Sequence, residues 1–357
     1  MITTQDITIA GAGPAGLTAA IILAKAGRRV RIFEQRSGVG RRFNDDFQGL
    51  ENWSRKEDVL EEVRAMGISP ESWWYRTFHG GVLYDPSLRP IRVESERPLF
   101  YMVRRGYTHP ASLDLALFDQ AKEAGVEFVW NQRLSAPAAN IVASGPCGVP
   151  MVVARGMTFR TELEDLACGI LNDRMAPAGY VYFLVADHQA TLATVLFEKF
   201  GKARDCLRHS LDGIKRLFAI KEVHEARHWG GYGLFSMPKS ASREGSLWIG
   251  EAAGFQDILF GFGIRNALVS AKLAAQSIIE NRSYDDLWRA RLLPHLKATL
   301  VSRTVYQGLG DFSKRGFWHL TGRSARPDRF MHWLYNFSPL HRVLYPLALT
   351  RLPKAER

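Results

Sequence analysis

Cysteine is scarce and badly placed for crosslinking. Cys147, Cys168 and Cys206 are odd in number, widely spaced and form no C-x-x-C pair. That excludes a disulfide framework and a cysteine zinc site, and it predicts a reducing, cytoplasmic setting without a metal centre. No apolar run approaches the roughly eighteen residues of a spanning helix. The chain enters its first apolar segment almost at once, so no secretory leader is expected. Internal repeats and low-complexity tracts are missing as well. Acidic residues are in the minority: 36 Asp and Glu stand against 47 Lys and Arg, a net charge of +11. Such an excess suits nucleic acid, an anionic membrane surface or acidic ligands. The basic residues are spread along the chain with no recognition motif beside them, which argues against nucleic acid.

What is present begins at Gln5. Ile7 to Ala10 reads as a short buried strand, and Gly11-Ala12-Gly13-Pro14-Ala15-Gly16 follows it. An apolar helix (Leu17 to Ala26), Gly27 and a second strand ending Val30-Arg31-Ile32-Phe33-Glu34 complete a βαβ unit. A G-x-G-x-x-G turn between strand and helix points to a dinucleotide. Gly11 can take backbone angles closed to a side chain. Gly13 leaves the backbone open to a pyrophosphate, and Gly16 lets helix and strand pack closely. Pro14 fits the first helical turn, and the exposed N–H groups there favour a phosphate pair. Glu34 ends the second strand, where its carboxylate can accept from both hydroxyls of an adenosine ribose. The loop Gln35-Arg36-Ser37-Gly38-Val39-Gly40-Arg41-Arg42-Phe43 lies past that strand end, where ligands bind in open α/β sheets. Arg41 and Arg42 are placed to reach a pyrophosphate or stack on a ring.

Farther on, Ser54-Arg55-Lys56-Glu57 reads as a capping box for a helix carrying Val59, Leu60, Val63 and Met66, closed by Gly67. Trp73 to Asp85 reads as strand and turn broken at Gly80-Gly81, with His79 an ordinary turn histidine. Pro98 to Val103 reads as a strand ending in Arg104-Arg105-Gly106, before a helix opened by Pro110-Ala111-Ser112. Ile141 to Pro146 is a short apolar strand ending in small residues. Met151 to Thr161 and Tyr180 to Phe197 carry β-branched and aromatic residues in partial alternation and suggest antiparallel strands. Glu198 to Leu217 is helical in pattern. Ser246 to Gly250 is a second strand that runs through Glu251-Ala252-Ala253-Gly254 and Phe260-Gly261-Phe262-Gly263-Ile264 into a long helix from Arg265. Glu251 there could grip a polyol hydroxyl. From Tyr284 the chain is helix-like, aromatic and basic. Trp318, Phe330, Trp333, Leu334, Phe337, Leu340 and Leu344 are interleaved with Arg315, Arg323, Arg326, Arg329 and Arg342. Packing of this tail on the preceding domains is the plain expectation, and an amphipathic membrane-surface segment the sharper one.

Three segments together resemble an FAD-dependent oxidoreductase of the glutathione-reductase-like superfamily: Gly11 to Glu34, Ile141-Val142-Ala143-Ser144-Gly145, and Gly250-Glu251-Ala252-Ala253-Gly254 with Gly261-Phe262-Gly263-Ile264. Within it the chain resembles the geranylgeranyl reductase-like branch shared with para-hydroxybenzoate-hydroxylase-like flavoproteins. Tyr180-Val181-Tyr182-Phe183-Leu184-Val185 sits where that branch has Y-x-W-x-F-P, with Tyr182, Leu184 and Val185 in place of Trp, Phe and Pro. Glu251 replaces the usual Asp of the third motif.

The resemblance implies an α/β (α+β) fold: a Rossmann-like FAD-binding domain of the glutathione-reductase type, an inserted antiparallel β-sheet substrate domain and a helical C-terminal region. The FAD domain is expected over 1–75, 101–150 and 236–282, substrate strands over 76–100 and 151–235, and the basic helical region over 283–357. It implies FAD contacts from Gly11, Gly13, Pro14, Ala15, Gly16, Glu34, Gln35, Arg41, Arg42, Arg104, Gly145, Glu251, Gly263 and Ile264. Gly263 and Ile264 would present N–H groups to the flavin pyrimidine ring, where reduced flavin carries negative charge. The implied activity is reduction of a carbon–carbon double bond in a hydrophobic, prenyl-like substrate, with NAD(P)H or a reduced carrier as donor. Tyr180, Tyr182 and Cys147 are the candidate proton donors. A flavin monooxygenase or halogenase shares the fold, but its usual Asp-Gly pair is Ser144-Gly145 here and no W-x-W-x-I-P motif is present. A degenerate, non-enzymatic nucleotide binder is disfavoured by the intact glycine junctions. Peripheral membrane contact through the tail completes the expectations.

Overall fold

The computed structural model describes residues 6–309, 316, 318, 319 and 326–352. Arg315 and Arg323, singled out from the sequence, lie outside the described residues.

The first sheet is built on β1 (Ile7–Ala10), a central strand in which Ile7, Ile9 and Ala10 are buried. It pairs in parallel with β2 (Val30–Phe33) and with β9 (Ile141–Val142). β8 (Glu127–Val129) extends one side in parallel, and β16 (Ser246–Trp248) and then β15 (Ser242–Arg243) extend the other. The helix α1 (Pro14–Lys25) connects β1 to β2, α3 (Leu113–Glu123) leads into β8, and α5 (Ile264–Glu280) follows β16. α1 and α5 supply Leu17, Ile21, Leu23, Leu268, Ala271 and Ala274 to the main core.

A three-stranded antiparallel sheet joins β3 (Asp46–Glu51), β7 (Phe100–Arg105) and β4 (Tyr75–Phe78). A seven-stranded sheet has the order β14 (His224–Gly233), β10 (Val152–Arg160), β13 (Gln189–Leu196), β12 (Tyr180–Ala186), β11 (Leu166–Ile170), β5 (Gly80–Tyr84) and β6 (Pro90–Glu94). Its pairs are antiparallel except β11 with β5, which is parallel because β5 arrives from a distant segment. The chain break before β5 falls at His79, and Gly80 and Gly81 are inside the strand. β11 and β14 gave no clear sequence signal; β14 holds three glycines and four charged or histidine side chains in ten residues, so its pairing with β10 is a tertiary effect. α4 (Ala203–Leu217) covers this sheet with its apolar face.

Ser54 does not cap a helix. Its hydroxyl donates to Glu51, and α2 (Val59–Arg64) starts at Asp58, whose carboxylate accepts from the Leu60 N–H at 2.9 Å. Asp58 wins because Ser54 is drawn inward by a buried carboxylate. α2 carries Glu62, which accepts from Arg265 (2.8 Å) and Arg291 (2.9 Å) and lies 3.4 Å from Arg55. These contacts tie α2 to the first turn of α5 and to α6 (Tyr284–Arg291). The tail packs as expected. α6 and α7 (Leu293–Gly308) place Trp288, Leu292, Leu296 and Leu300 in the main core. α8 (Pro327–Tyr335) and α9 (Pro339–Leu349) lean on α7.

Arg265 is 1% exposed, so removing Glu62 leaves a buried guanidinium without its carboxylate. Glu62→Ala is expected to cost about 3–5 kcal/mol, read as a lower urea midpoint. Burial pushes the Glu62 carboxyl up, but Arg265 and Arg55 outweigh it and the net shift is downward. Its contribution is therefore complete above the ordinary value of 4.5 and fades as pH falls through the folded-state value. In Glu62→Ala that acid-limb loss disappears.

Candidate active site

The turn after β1 is shaped by three glycines with three separate constraints. Gly11 has φ +106°, and a Cβ on it would lie 2.4 Å from the Ala143 carbonyl oxygen. A Cβ on Gly16 would lie 2.0 Å from the Gly11 oxygen. A Cβ on Gly13 meets nothing within 4 Å, because Gly13 borders open space. Gly13 is also the N-cap of α1 and gives it no side-chain cap, so the first-turn N–H groups that Pro14 leaves face that space. The carboxylate of Glu34 is held at the end of β2 by two backbone donors, Ala12 N–H and Arg36 N–H, both at 2.9 Å.

The second junction lies beside the first. After β16 a short turn (Gly250–Ala253) leads to a loop that ends at Gly263, the N-cap of α5. Gly263 provides no side-chain cap either. Asp257 organises the loop. Its carboxylate accepts from the N–H groups of Leu259 (2.9 Å), Phe260 (3.0 Å) and Phe262 (3.4 Å) and from the Tyr335 hydroxyl (3.0 Å). Burial raises its pKa to about 6, against the pull of those donors. The sequence reading missed Asp257; its signal was a lone carboxylate inside the apolar run Phe255 to Phe262.

Both helix starts open into one cavity of about 1030 Å³. Gly11, Gly13, Pro14, Ala15, Glu34, Gln35, Arg41, Arg42, Gly145, Glu251, Gly263 and Ile264 all line it, as do Cys147, Tyr180 and Tyr182. Two expected contacts are corrected. Gly16 is buried under the turn, off the cavity wall, and its role is the close packing of α1 on the Gly11 backbone. Arg104 points away: it lies over the Phe47 and Trp74 rings and donates to Gln189 Oε1 at 2.7 Å. Its neighbour Arg105 lines the cavity, clamped by Asp114 through bonds of 2.8 and 2.9 Å. Successive strand residues face opposite sides, and the register of β7 against β3 puts Arg105 inside. Glu251 faces Arg42 at 3.4 Å, and Arg42 also donates to the Tyr232 carbonyl at 2.8 Å. This pair joins the arginine loop to the second junction, so Glu251 acts first as an ion-pair partner. Burial raises its pKa, with Arg42 opposing.

Away from the glycine turns the cavity becomes apolar. Leu83, Val93, Leu99, Leu171, Phe260, Trp318 and Met331 form this arm. At the junction of the two parts stand Tyr180 and Tyr182, alternating along β12. The Tyr180 hydroxyl donates to the Phe260 carbonyl at 2.5 Å, so its proton is committed. Tyr182 has its pKa pushed well above 10.0 by burial and then by the Asp46 carboxylate. Asp46 is fully buried, accepts from Gln48 at 3.0 Å, and has its own pKa raised by burial to about 6. Gln48 in turn accepts from Arg105 at 3.3 Å. Asp46, Gln48 and Arg105 escaped the sequence reading because strand pairing alone brings them together.

The cradle fits a dinucleotide. Two uncapped helix starts meet the negative charge of a pyrophosphate and a reduced ring, and Gly13 leaves the space that a side chain would fill. Comparison with known proteins agrees. Residues 9–50 match the NAD(P)-binding Rossmann-like domain family. A geranylgeranyl bacteriochlorophyll reductase-like structure from Thermoplasma acidophilum superposes with a TM-score of 0.69 at 18% identity, covering 97% of this chain and 98% of that one. The two share one fold over nearly their whole length. A flavin-dependent brominase has the same TM-score, 0.69, at 15% identity over 98% of this chain and 100% of that one. In sequence, the digeranylgeranylglycerophospholipid reductases of Methanocaldococcus jannaschii and Methanopyrus kandleri are 21% and 27% identical, over 86% and 79% of this chain and 88% and 82% of their own. The resemblance to geranylgeranyl reductase-like flavoproteins therefore extends over most of the chain.

Two glycines should fail in different ways. Gly13→Val places a side chain in the cradle and is expected to weaken FAD binding at least tenfold with an unchanged melting temperature. Gly16→Ala forces α1 off the strand and is expected to lower the melting temperature. Flavin fluorescence titration and thermal melting read the two effects.

Proposed function

We propose that the chain reduces carbon–carbon double bonds of a prenyl-type lipid with FAD as resident cofactor and NAD(P)H or a reduced carrier as electron donor. The observation that carries this reading is one cavity that joins both glycine junctions to an apolar arm. Its relatives named as reductases of a digeranylgeranyl lipid support the choice of substrate. Bound in the cradle, FAD would supply hydride to one alkene carbon.

The chain's residues do the rest. The first turns of α1 and α5 hold negative charge, and Glu34 takes the ribose hydroxyls. Leu83, Val93, Leu99 and Leu171 exclude water and hold the chain of the substrate. The second alkene carbon needs a proton. Tyr182 lines the cavity and carries its proton at neutral pH as any phenol does, with burial and then Asp46 pushing its pKa further up from 10.0. We assign it the proton donor role. Tyr180 instead fixes the Phe260 carbonyl and so the flavin-side loop. Cys147 is exposed at the rim and has no assigned role.

The similarity to a brominase keeps a monooxygenase reading open, because the fold serves both chemistries. Anaerobic incubation of the reduced protein with a geranylgeranylated glycerophospholipid separates them. The proposal expects two hydrogens added per double bond by mass spectrometry, with no need for oxygen. Oxygen-dependent gain of an oxygen atom would overturn it. Tyr182→Phe should lower turnover by about 10²–10⁴-fold with FAD content unchanged, and Tyr180→Phe should cost far less.

A further inference from the structure

α8 and α9 present an apolar face that none of the described residues covers. Trp333, Leu340, Val343 and Leu347 are all exposed, Val343 by 76%. The other large apolar side chains exposed among the described residues, such as Tyr107, Val149 and Ile279, are scattered. Leu340, Val343 and Leu347 recur at helical spacing, so they form one stripe. Exposed Arg329 precedes Trp333 by one turn of α8, and exposed Arg351 follows Leu347 by four residues just past the end of α9. From Arg329 to Leu352 the sequence contains no Asp or Glu.

The opposite face of α9 is well fixed. His341 is buried and lies 3.2 Å from Ser302 of α7, and Ser338 caps the helix. Lys297 of α7 lies over the Tyr345 ring at 5.1 Å. The stripe is therefore held outward by the fold. Two residues before Trp333, Met331 forms part of the apolar arm of the cavity. One helix thus touches the cavity on one side and carries exposed tryptophan on the other.

We propose that α8 and α9 seat the chain on an anionic lipid bilayer. An apolar face with an arginine at each end and no acidic side chains matches an acyl boundary beneath negative headgroups. Tryptophan suits that boundary because one edge is apolar and one can hydrogen-bond. Docked this way, the chain holds the end of its apolar arm against the surface that stores a prenyl lipid. A lipid substrate, as read above, supplies the reason for a bilayer, while α8 and α9 alone supply the place.

Vesicle co-sedimentation tests this without any turnover. The full chain, holding its flavin, is mixed with phosphatidylcholine vesicles with and without phosphatidylglycerol. Binding should be strong only to the anionic vesicles and should fall steeply at high salt, where the screening length shrinks to about 3 Å. Val343→Glu with Leu347→Glu should weaken it at least tenfold, while Ile279→Glu on α5 should leave it intact. Absence of binding to anionic vesicles would overturn the proposal, as would equal binding to neutral ones or full binding by the double variant. A wild-type dimer that the double variant converts to monomer, with no vesicle binding, would assign the stripe to a second copy instead. Activity on a short, detergent-dispersed prenyl substrate is measured in parallel, so loss of docking and failure of the reductase reading give different results.

Discussion

Two helix starts without side-chain caps, aimed into one cavity, are the constraint on which the structure depends. α1 begins at Gly13 and α5 at Gly263, and neither N-cap can satisfy the N–H groups behind it. Those groups need an anionic partner or water. Placing both ends side by side requires the parallel order β16-β9-β1-β2, since each helix follows the carboxyl end of its strand. It also requires α5 to be anchored away from the cavity, which Glu62, Arg265 and Arg291 do. Asp257 holds the intervening loop to the C-terminal helices through Tyr335. The tail is therefore part of the site's support as well as a wall of its apolar arm.

The cavity changes character along its length, and the change decides the chemistry. Backbone N–H groups, Glu34 and the Arg42–Glu251 pair surround one part. Leucine, valine and aromatic side chains surround the other. At the seam stand two tyrosines two residues apart on β12, and their hydroxyls differ. Tyr180 is spent on a backbone carbonyl. Tyr182 has its pKa raised by its buried surroundings and then by the Asp46 carboxylate, which accepts from Gln48. The proposed alkene reduction asks for a proton donor beside the apolar arm, because an added hydride leaves the neighbouring carbon basic.

What could be read from the sequence was local. The β1–α1–β2 unit, Glu34 and the second glycine junction are short contiguous signals, and the structure has them where the residues put them. The errors are failures of face and of long-range partners. Arg104 and Arg105 are indistinguishable in sequence, and only the register of β7 against β3 turns Arg105 inward. The capping box at Ser54 was a sound local pattern, but a buried Glu51 claimed the hydroxyl. Asp46, Glu62 and Asp257 act on residues far along the chain, as Glu62 does on Arg265. No local pattern announces such partners. β14 is a strand because β10 offers it an edge, against its own composition.

The most direct test of the central claim is the absorption spectrum of the purified chain, with the cofactor then released and identified. The account predicts a flavin band near ~450 nm and FAD as the released molecule, lost in Gly13→Val. A colourless protein that takes up no added FAD would contradict it, because the two open helix starts would then face no dinucleotide at all.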